Sequence, residues 1–164
     1  MPTVASTAAV PGNSAPPTAG LPRASGATDL PARLWRRLPH TPCAAGRARR
    51  AVEDFLRDRG GDALGDAAHL IVSELVANAV RHGQPPVDLT LTWMDGRTHR
   101  SRLRVEVLDR GTSGLSGLGA GFGDGWAEGG RGLMLVEACS DRWGAFADAG
   151  LCVWAEIVGP DTDG

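Results

Sequence analysis

Three short stretches of this sequence combine residue types that can do chemistry. The first is the run Ser73-Glu-Leu-Val-Ala-Asn-Ala-Val-Arg-His-Gly83, in which Glu74 and Asn78 are four positions apart. On a helix this spacing puts both side chains on one side, with Arg81 and His82 nearby and apolar residues opposite. An amide oxygen can ligate Mg²⁺ carried by a nucleotide, and a carboxylate can polarise a hydroxyl group or water. The alternative interpretation is a solvated helix face.

The second stretch is Asp109-Arg-Gly111, which lies where an apolar strand is predicted to end. A carboxylate at this place can accept a hydrogen bond from an exocyclic amine. A glycine beside it lets a planar ring approach the backbone. The other interpretation of this stretch is an ordinary turn that terminates the strand.

The third stretch, Glu128-Gly-Gly-Arg-Gly-Leu133, follows a low-complexity segment and opens a predicted helix. Free backbone N–H groups at a helix N-terminus can surround a phosphate, and Arg131 is available as a charged donor. Of the 23 glycines, 10 lie between Gly111 and Gly132. This clustering indicates a segment that cradles a ligand, or else a flexible linker. Neither GxGxxG nor GxSxG occurs in it, which argues against dinucleotide binding and a hydrolase nucleophile elbow.

The composition excludes several other kinds of site. All 17 basic side chains are arginine, so a Walker A loop, a kinase strand lysine and Schiff-base catalysis are ruled out. The net charge of −2 argues against general binding of nucleic acid or of a membrane surface. No apolar run approaches the roughly 18 residues of a membrane span. The 3 cysteines have no CxxC spacing, which favours neither a disulfide framework nor a zinc site and suggests a reducing cytoplasm.

The chain divides into an extension, one domain and a short tail. Residues 1–32 are rich in Pro, Ala, Ser and Gly and carry only two charged side chains, Arg23 and Asp29. Such a segment cannot bury enough apolar surface to fold, so we expect disorder. A signal peptide is the competing interpretation, but there is no basic start and proline interrupts the apolar residues. Residues 33–158 form the predicted domain, and residues 159–164 form the tail.

The domain is predicted to be α+β, a two-layer sandwich with helices on one face of a mixed, mainly antiparallel sheet. Thr41 and Pro42 are expected to cap and open the first helix, which Gly60-Gly61 ends. A turn at Asp95-Gly96 joins the two central strands. The predicted elements are, in order, a strand over Arg33–Pro39, a helix to Leu56, a helix over Ala63–Arg81, strands over Val87–Trp93 and Leu103–Leu108, a helix over Gly132–Cys139, and strands over Arg142–Ala147 and Leu151–Ile157.

The order and spacing of the three stretches together resemble the nucleotide site of the GHKL ATPase superfamily, whose ATP-binding sandwich is called the Bergerat fold. The amino-acid sequences of three segments are similar to those of its anti-sigma-factor serine-kinase branch, which is common in actinobacteria. These segments are residues 73–83, Gly129-Gly-Arg-Gly-Leu133 and Val153-Trp-Ala-Glu156. The resemblance covers residues 33–158 and leaves out the N-terminal extension.

The resemblance implies a site for ATP and Mg²⁺. By that likeness Glu74 is the catalytic base, Asn78 ligates Mg²⁺, Asp109 holds the adenine amine and Gly111 gives adenine room. The phosphates are surrounded at the start of the last helix, where the glycine-rich segment forms a lid. Arg81 and His82 close the second helix near the site. The nucleotide-binding residues implied are Asn78, Arg81, His82, Asp109, Gly111, Gly129, Gly130, Arg131, Gly132 and Leu133.

The function implied is a cytoplasmic serine/threonine kinase that phosphorylates a small anti-sigma antagonist and can also hold a sigma factor. It involves no direct contact with nucleic acid or membrane, and a homodimer through residues 33–59 is a further expectation. One departure stands out, since Gly150-Leu-Cys152 replaces a segment in which relatives often have a threonine that helps to hold adenine. That departure keeps open a non-catalytic module that sequesters a regulator, and a degenerate fold without nucleotide.

Overall fold

The computed structural model describes residues 31–94, 100–111 and 130–160. The predicted disorder of the extension, the turn at Asp95-Gly96, nearly all of the glycine-rich lid and the end of the tail lie outside the described residues. The elements are β1 (Ala32–Leu38), α1 (Ala44–Arg57), a 3₁₀ turn (Asp62–Leu64), α2 (Gly65–His82), β2 (Val87–Met94), β3 (Arg102–Asp109), α3 (Gly130–Cys139), β4 (Arg142–Ala147) and β5 (Leu151–Val158).

The strands form one sheet in the order β1-β2-β3-β5-β4. Each of the strand pairings among the described residues is antiparallel. The pairing of β3 with β5 sets Asp109 opposite Leu151 and Val107 opposite Val153. The predicted α+β class with a mainly antiparallel sheet is confirmed, and β5 is inserted between β3 and β4.

Alternation along the strands gives the sheet two different faces. On β2, Leu89 and Leu91 belong to the hydrophobic core, whereas Thr90 and Thr92 point to the opposite side. The core joins the inner face of the sheet to the buried sides of all three helices. Helix α2 lies at the centre and packs against α1, α3 and β3. The helices therefore cover one face, as the sequence predicted.

Residues Asp62–His82 are long and apolar enough to cross a membrane by length and composition alone, with a mean hydropathy of 1.3. Their most apolar side chains are used within the fold. Ile71, Val72, Leu75 and Val76 of α2 are all buried in the core. The apolarity of this helix is therefore accounted for by its central place between the sheet and the other two helices.

The start of α1 differs from the prediction. The helix begins at Ala44, and Cys43 at its N-cap forms no side-chain capping hydrogen bond. The carbonyl of Thr41 accepts the backbone N–H of Ala44 at 2.9 Å, so Thr41 forms a turn before the helix and does not cap it. The predicted end is confirmed, because α1 stops at Arg57 and Gly60 has a φ of +64°, a conformation that favours glycine.

The outer face of the sheet is occupied by a paired polar cluster. Arg104 donates to Glu156 at 2.8 Å, and its Nε lies 3.2 Å from a carboxylate oxygen of Glu106. The same guanidinium stacks 4.0 Å above the Trp154 ring. Trp154 in turn lies against Gly144, where a Cβ would stand 3.0 Å from the ring. These contacts cover the part of the outer face formed by β3, β5 and β4, and no described helix lies on that side.

Candidate functional site

The C-terminal half of α2 supplies the first wall of a pocket. Leu75 and Ala79 are buried on the core side of the helix. Asn78 is also buried, with 9% of its surface exposed, and it lines the pocket together with those two residues. Glu74, one turn earlier, is half-buried. This face of the helix is thus largely removed from solvent, unlike an ordinary solvated face.

Asp109 forms the opposite side of the pocket, at the end of β3. It is only 4% exposed. Its Oδ1 accepts the backbone N–H of Gly111 at 2.6 Å and that of Gln84 at 3.2 Å. Hydrogen bonds from backbone N–H groups stabilise a buried carboxylate and fix its orientation. Both described bonds use the same oxygen, so Oδ2 is the oxygen left for a ligand.

Two glycines make the position of Asp109 possible. At Gly83, which follows α2 directly, an added Cβ would overlap the Asp109 carboxyl and lie 2.6 Å from the Ala79 carbonyl oxygen. At Gly150, whose φ is +153°, an added Cβ would overlap the Asp109 carbonyl oxygen. The chain therefore needs glycine at both places to bring α2 and the β4–β5 hairpin against the end of β3.

The pocket between these elements has an empty volume of about 480 Å³, including the space open to solvent at its mouth. Its walls are mainly apolar, with a buried amide on one side and a buried carboxylate on the other. Such a mixture is typical of small-molecule sites. The lining residues are Leu75, Asn78, Ala79, His82, Gly83, Val107, Asp109, Gly111, Leu133, Leu151 and Val153.

The start of α3 brings the third stretch of sequence to the same place. Leu133 lines the pocket. Gly132 lies so close to α2 that a Cβ there would stand 2.5 Å from Glu74 Oε2 and 3.7 Å from Asn78 Nδ2. Gly130 is the first residue of α3. Gly129 lies outside the described residues, and so does the side chain of Arg131.

Arg81 and His82 lie at the edge of this arrangement, and both are exposed. His82 lines the pocket. Arg81 donates from Nε to the Ala77 carbonyl at 3.2 Å and from Nη2 to Asn78 Oδ1 at 3.4 Å. Glu74 and Gly132 are not part of the pocket wall, but they lie next to each other beside Asn78 and Leu133, which are. The structure thus brings together the described parts of all three stretches, at one end of the sheet.

Several lining residues were missed by sequence reasoning. Gly83 ends the first of the three stretches and was given no role in the site, although its lack of a side chain is what admits Asp109. Val107 and Val153 alternate with outward-facing residues of their strands and could have been found from that pattern. Leu151 is the member of the altered Gly150-Leu-Cys152 segment that faces the pocket.

Cys152 has a different environment from its neighbour Leu151. It is 5% exposed and pairs across the sheet with Leu108. Burial, followed by the negative charge of Glu106, raises the pKa of its thiol to about 12. The thiol is therefore neutral at physiological pH, and Cys152 behaves as a small apolar residue behind the pocket wall.

Fold and pocket together define a two-layer α+β domain with a small-molecule site between its central helix and the end of the central strands. Residues 38–157 match the family described as the histidine kinase-like ATPase domain. This match spans nearly three quarters of the chain, so the protein belongs to that family, which is of GHKL type, and carries an ATP-binding domain. The comparison with curated proteins gives no significant match.

Proposed function

We propose that this protein is an ATP-dependent regulatory kinase that phosphorylates a serine or threonine of a small anti-sigma antagonist protein, and that it also holds a sigma factor. The observation that carries the proposal is the approach of Glu74 to Gly132 beside the buried Asn78. A carboxylate, an amide and a glycine-bearing helix start meet there at one edge of the pocket, as a phosphoryl-transfer site requires.

The residues fit ATP together with Mg²⁺. Within the described ranges, no group of three or more His, Cys, Asp and Glu side chains could hold a metal ion. Asn78 would therefore share the ion with phosphate oxygens of the nucleotide, an arrangement that suits Mg²⁺. Gly132 has no side chain, so the start of α3 can approach both the Glu74 carboxylate and the Asn78 amide. Bound ATP·Mg²⁺ supplies the transferable phosphoryl group.

Each described residue has a separate task in this mechanism. Asp109 accepts a hydrogen bond from the adenine amine while its own orientation is fixed by the backbone N–H groups of Gln84 and Gly111. The start of α3 directs backbone N–H groups and the helix dipole at the phosphates. Glu74 accepts the proton of the attacking serine or threonine hydroxyl. Catalysis of this kind consists mainly of positioning and charge stabilisation.

A second candidate function is a module that binds nucleotide without transferring phosphate and acts by sequestering a sigma factor or another regulator. It is favoured by the apolar Leu151, which lines the pocket opposite Asp109. A hydroxyl-bearing side chain in this segment would add a hydrogen bond near adenine, and leucine offers none. We therefore expect lower ATP affinity than in relatives that have threonine in the segment.

Titration with ATP·Mg²⁺, followed by an assay with labelled ATP and candidate antagonists, tests the proposal. Wild type is compared with Asn78→Ala and Glu74→Gln, and Glu137→Gln on the exposed side of α3 is the matched control. We expect Asn78→Ala to lose the Mg²⁺-dependent part of ATP binding. We expect Glu74→Gln to keep ATP binding but lose transfer, while Glu137→Gln retains both.

The outcomes separate the candidate functions. Binding without transfer in the wild type, combined with retention of a sigma factor, would select the sequestering module. Transfer that survives in Glu74→Gln would remove that residue from the mechanism. We also propose that the protein acts in the cytoplasm, belongs to the actinobacterial anti-sigma-factor branch, and folds as one domain over residues 33–158.

A further inference from the structure

A second concave surface lies between β1 and α1 and shares no lining residue with the ATP pocket. Its empty volume is about 1100 Å³, including the space open to solvent. We call it the arginine groove. Six arginines and two aspartates, Asp54 and Asp58, line it. Arg33 and Arg37 stand opposite Thr92 and Asp88 and bond to them, so their charges lie on the outer face of the sheet. The arginines on the side of α1 are Arg36, Arg47, Arg50 and Arg59. Positively charged side chains are therefore clustered on this surface, although the chain as a whole has a net charge of −2.

Only part of that positive charge is neutralised within the fold. Arg37 forms two hydrogen bonds with Asp88, at 2.9 and 3.2 Å. Arg47 and Arg50 are exposed, and among the described residues neither has a carboxylate within ion-pair distance. The described hydrogen bond of the Arg36 side chain goes to a backbone carbonyl, that of Trp35, at 3.3 Å.

Arg59 adds an orphaned donor to the same surface. Its Nη1 donates to the Phe55 carbonyl at 2.7 Å, and its guanidinium stacks 3.8 Å above the Phe55 ring. Its Nε, however, is buried and has no hydrogen-bond partner among the described residues. Buried donors without partners are uncommon, and each calls for an explanation such as a bound water, an ion or another group that completes the bonding.

The floor of the groove is apolar. Leu34 and Ala51 line it and are half-buried. Arg47, Arg50 and Ala51 are three and four positions apart along α1, so they lie on one side of the helix. The groove therefore combines a cationic rim with an apolar floor, which matches a segment that has carboxylates beside apolar side chains.

We propose that the arginine groove binds an acidic, amphipathic segment of a partner protein. A second copy of the chain, which the expected homodimer through residues 33–59 would place here, fits less well, because identical positive patches would meet near the two-fold axis. Nucleic acid fits poorly too, because a phosphate backbone has no apolar groups to cover Leu34 and Ala51 on the floor of the groove. The proposal does not depend on the kinase activity, since none of these residues lines the ATP pocket.

The test uses the full chain without nucleotide and a labelled short peptide in which glutamate and leucine lie on opposite sides of a helix. The same peptide with glutamine in place of glutamate is the first control. Arg50→Glu is the test variant, and Arg102→Glu, an exposed arginine of β3 outside the groove, is the matched control variant. Arg50→Gln removes the charge without reversing it, and circular dichroism checks that each variant is folded.

We expect the wild type to bind the acidic peptide and not its glutamine counterpart, with an affinity that falls as salt increases. Arg50→Glu should weaken binding about tenfold, since a lost attraction is replaced by a repulsion, and Arg50→Gln about threefold. Arg102→Glu should change affinity by less than about twofold.

Three results would overturn the proposal. The first is equal binding of the two peptides, or an equal loss in Arg50→Glu and Arg102→Glu, because either would mean general charge attraction. The second is tighter binding of a short DNA or RNA strand than of the acidic peptide. The third is a dimer seen by sedimentation that Arg50→Glu dissociates, which would make the groove a contact between two copies. None of these results bears on ATP binding.

Discussion

Replacing Gly83 by alanine tests the link between the end of α2 and the carboxylate of Asp109. The added methyl group would overlap the Asp109 carboxyl and would lie 2.6 Å from the Ala79 carbonyl oxygen. The Ala79 oxygen belongs to the backbone of α2, so it cannot move aside without disturbing the helix end. The carboxyl is held by two backbone N–H groups at 2.6 and 3.2 Å. We therefore expect the carboxylate to be pushed out of its position.

The cost in stability follows from these contacts. Overpacking at a rigid site costs about 1–3 kcal/mol, and a weakened hydrogen bond to a charged group costs about 1.5–3 kcal/mol. Alanine restricts the unfolded chain and returns about 0.4–1 kcal/mol. We expect Gly83→Ala to lower the free energy of unfolding by about 2–5 kcal/mol. Since Asp109 faces the pocket, ATP affinity should fall by about tenfold or more, equivalent to at least about 1.4 kcal/mol.

Urea denaturation followed by circular dichroism measures the stability, and calorimetric titration measures ATP affinity. Gly65→Ala is the matched control, because Gly65 begins the same helix with helical dihedral angles and has no atom within 4 Å of an added Cβ. It should be as stable as wild type or more stable by up to about 1 kcal/mol. If Gly83→Ala unfolds and binds ATP like Gly65→Ala, the close approach of α2 to Asp109 is refuted.

Three further predictions concern the same end of the sheet. Asp109→Asn should weaken ATP binding about tenfold and reduce the preference for ATP over GTP, because an amide can also donate; competition titration checks this. Gly132→Ala should change stability by less than about 1 kcal/mol, because the added Cβ meets the movable end of Glu74, yet lower phosphoryl transfer at least about tenfold. The Cys152 thiol has a pKa of about 12 against 9.0 for an ordinary thiol. Its contribution to stability is therefore complete below pH 9 and is lost as the pH rises towards 12. Urea denaturation at several pH values should show a smaller decline in stability over this range for Cys152→Ala than for wild type. A decline of the same size in both proteins would contradict this assignment.

Local patterns in the sequence predicted the parts of the fold that local physics decides. The alternation of apolar and polar residues in β2 and β3 predicted the ends of both strands to within a residue or two. The spacing of Glu74 and Asn78 put them on the side of α2 that meets the start of α3. The predicted start of α1 was wrong. Threonine is common at helix N-caps, but here the backbone carbonyl of Thr41 accepts a hydrogen bond in a turn before the helix.

Contacts that depend on tertiary register could not be predicted. No pattern in the sequence says that β5 pairs between β3 and β4, and it is this order that sets Leu151 opposite Asp109. Likewise, the need for glycine at position 83 arises only when the end of α2 reaches the end of β3. The arginine groove was missed for the same reason, since its cationic residues come from two elements that are brought together by packing.

The polar groups on the outer face of the sheet and those in the pocket differ in how completely they are paired within the protein. On the outer face, Arg104 is paired with both Glu106 and Glu156, so these three charges satisfy one another. In the pocket, Asn78 is buried but its described hydrogen bond is a long one, 3.4 Å from the exposed Arg81. Burying an amide at the mouth of a pocket without strong partners costs stability. Nucleotide bound in the pocket would supply such a partner and offset this cost, which is the physical reason for assigning chemistry to this pocket and not to the more highly charged outer face.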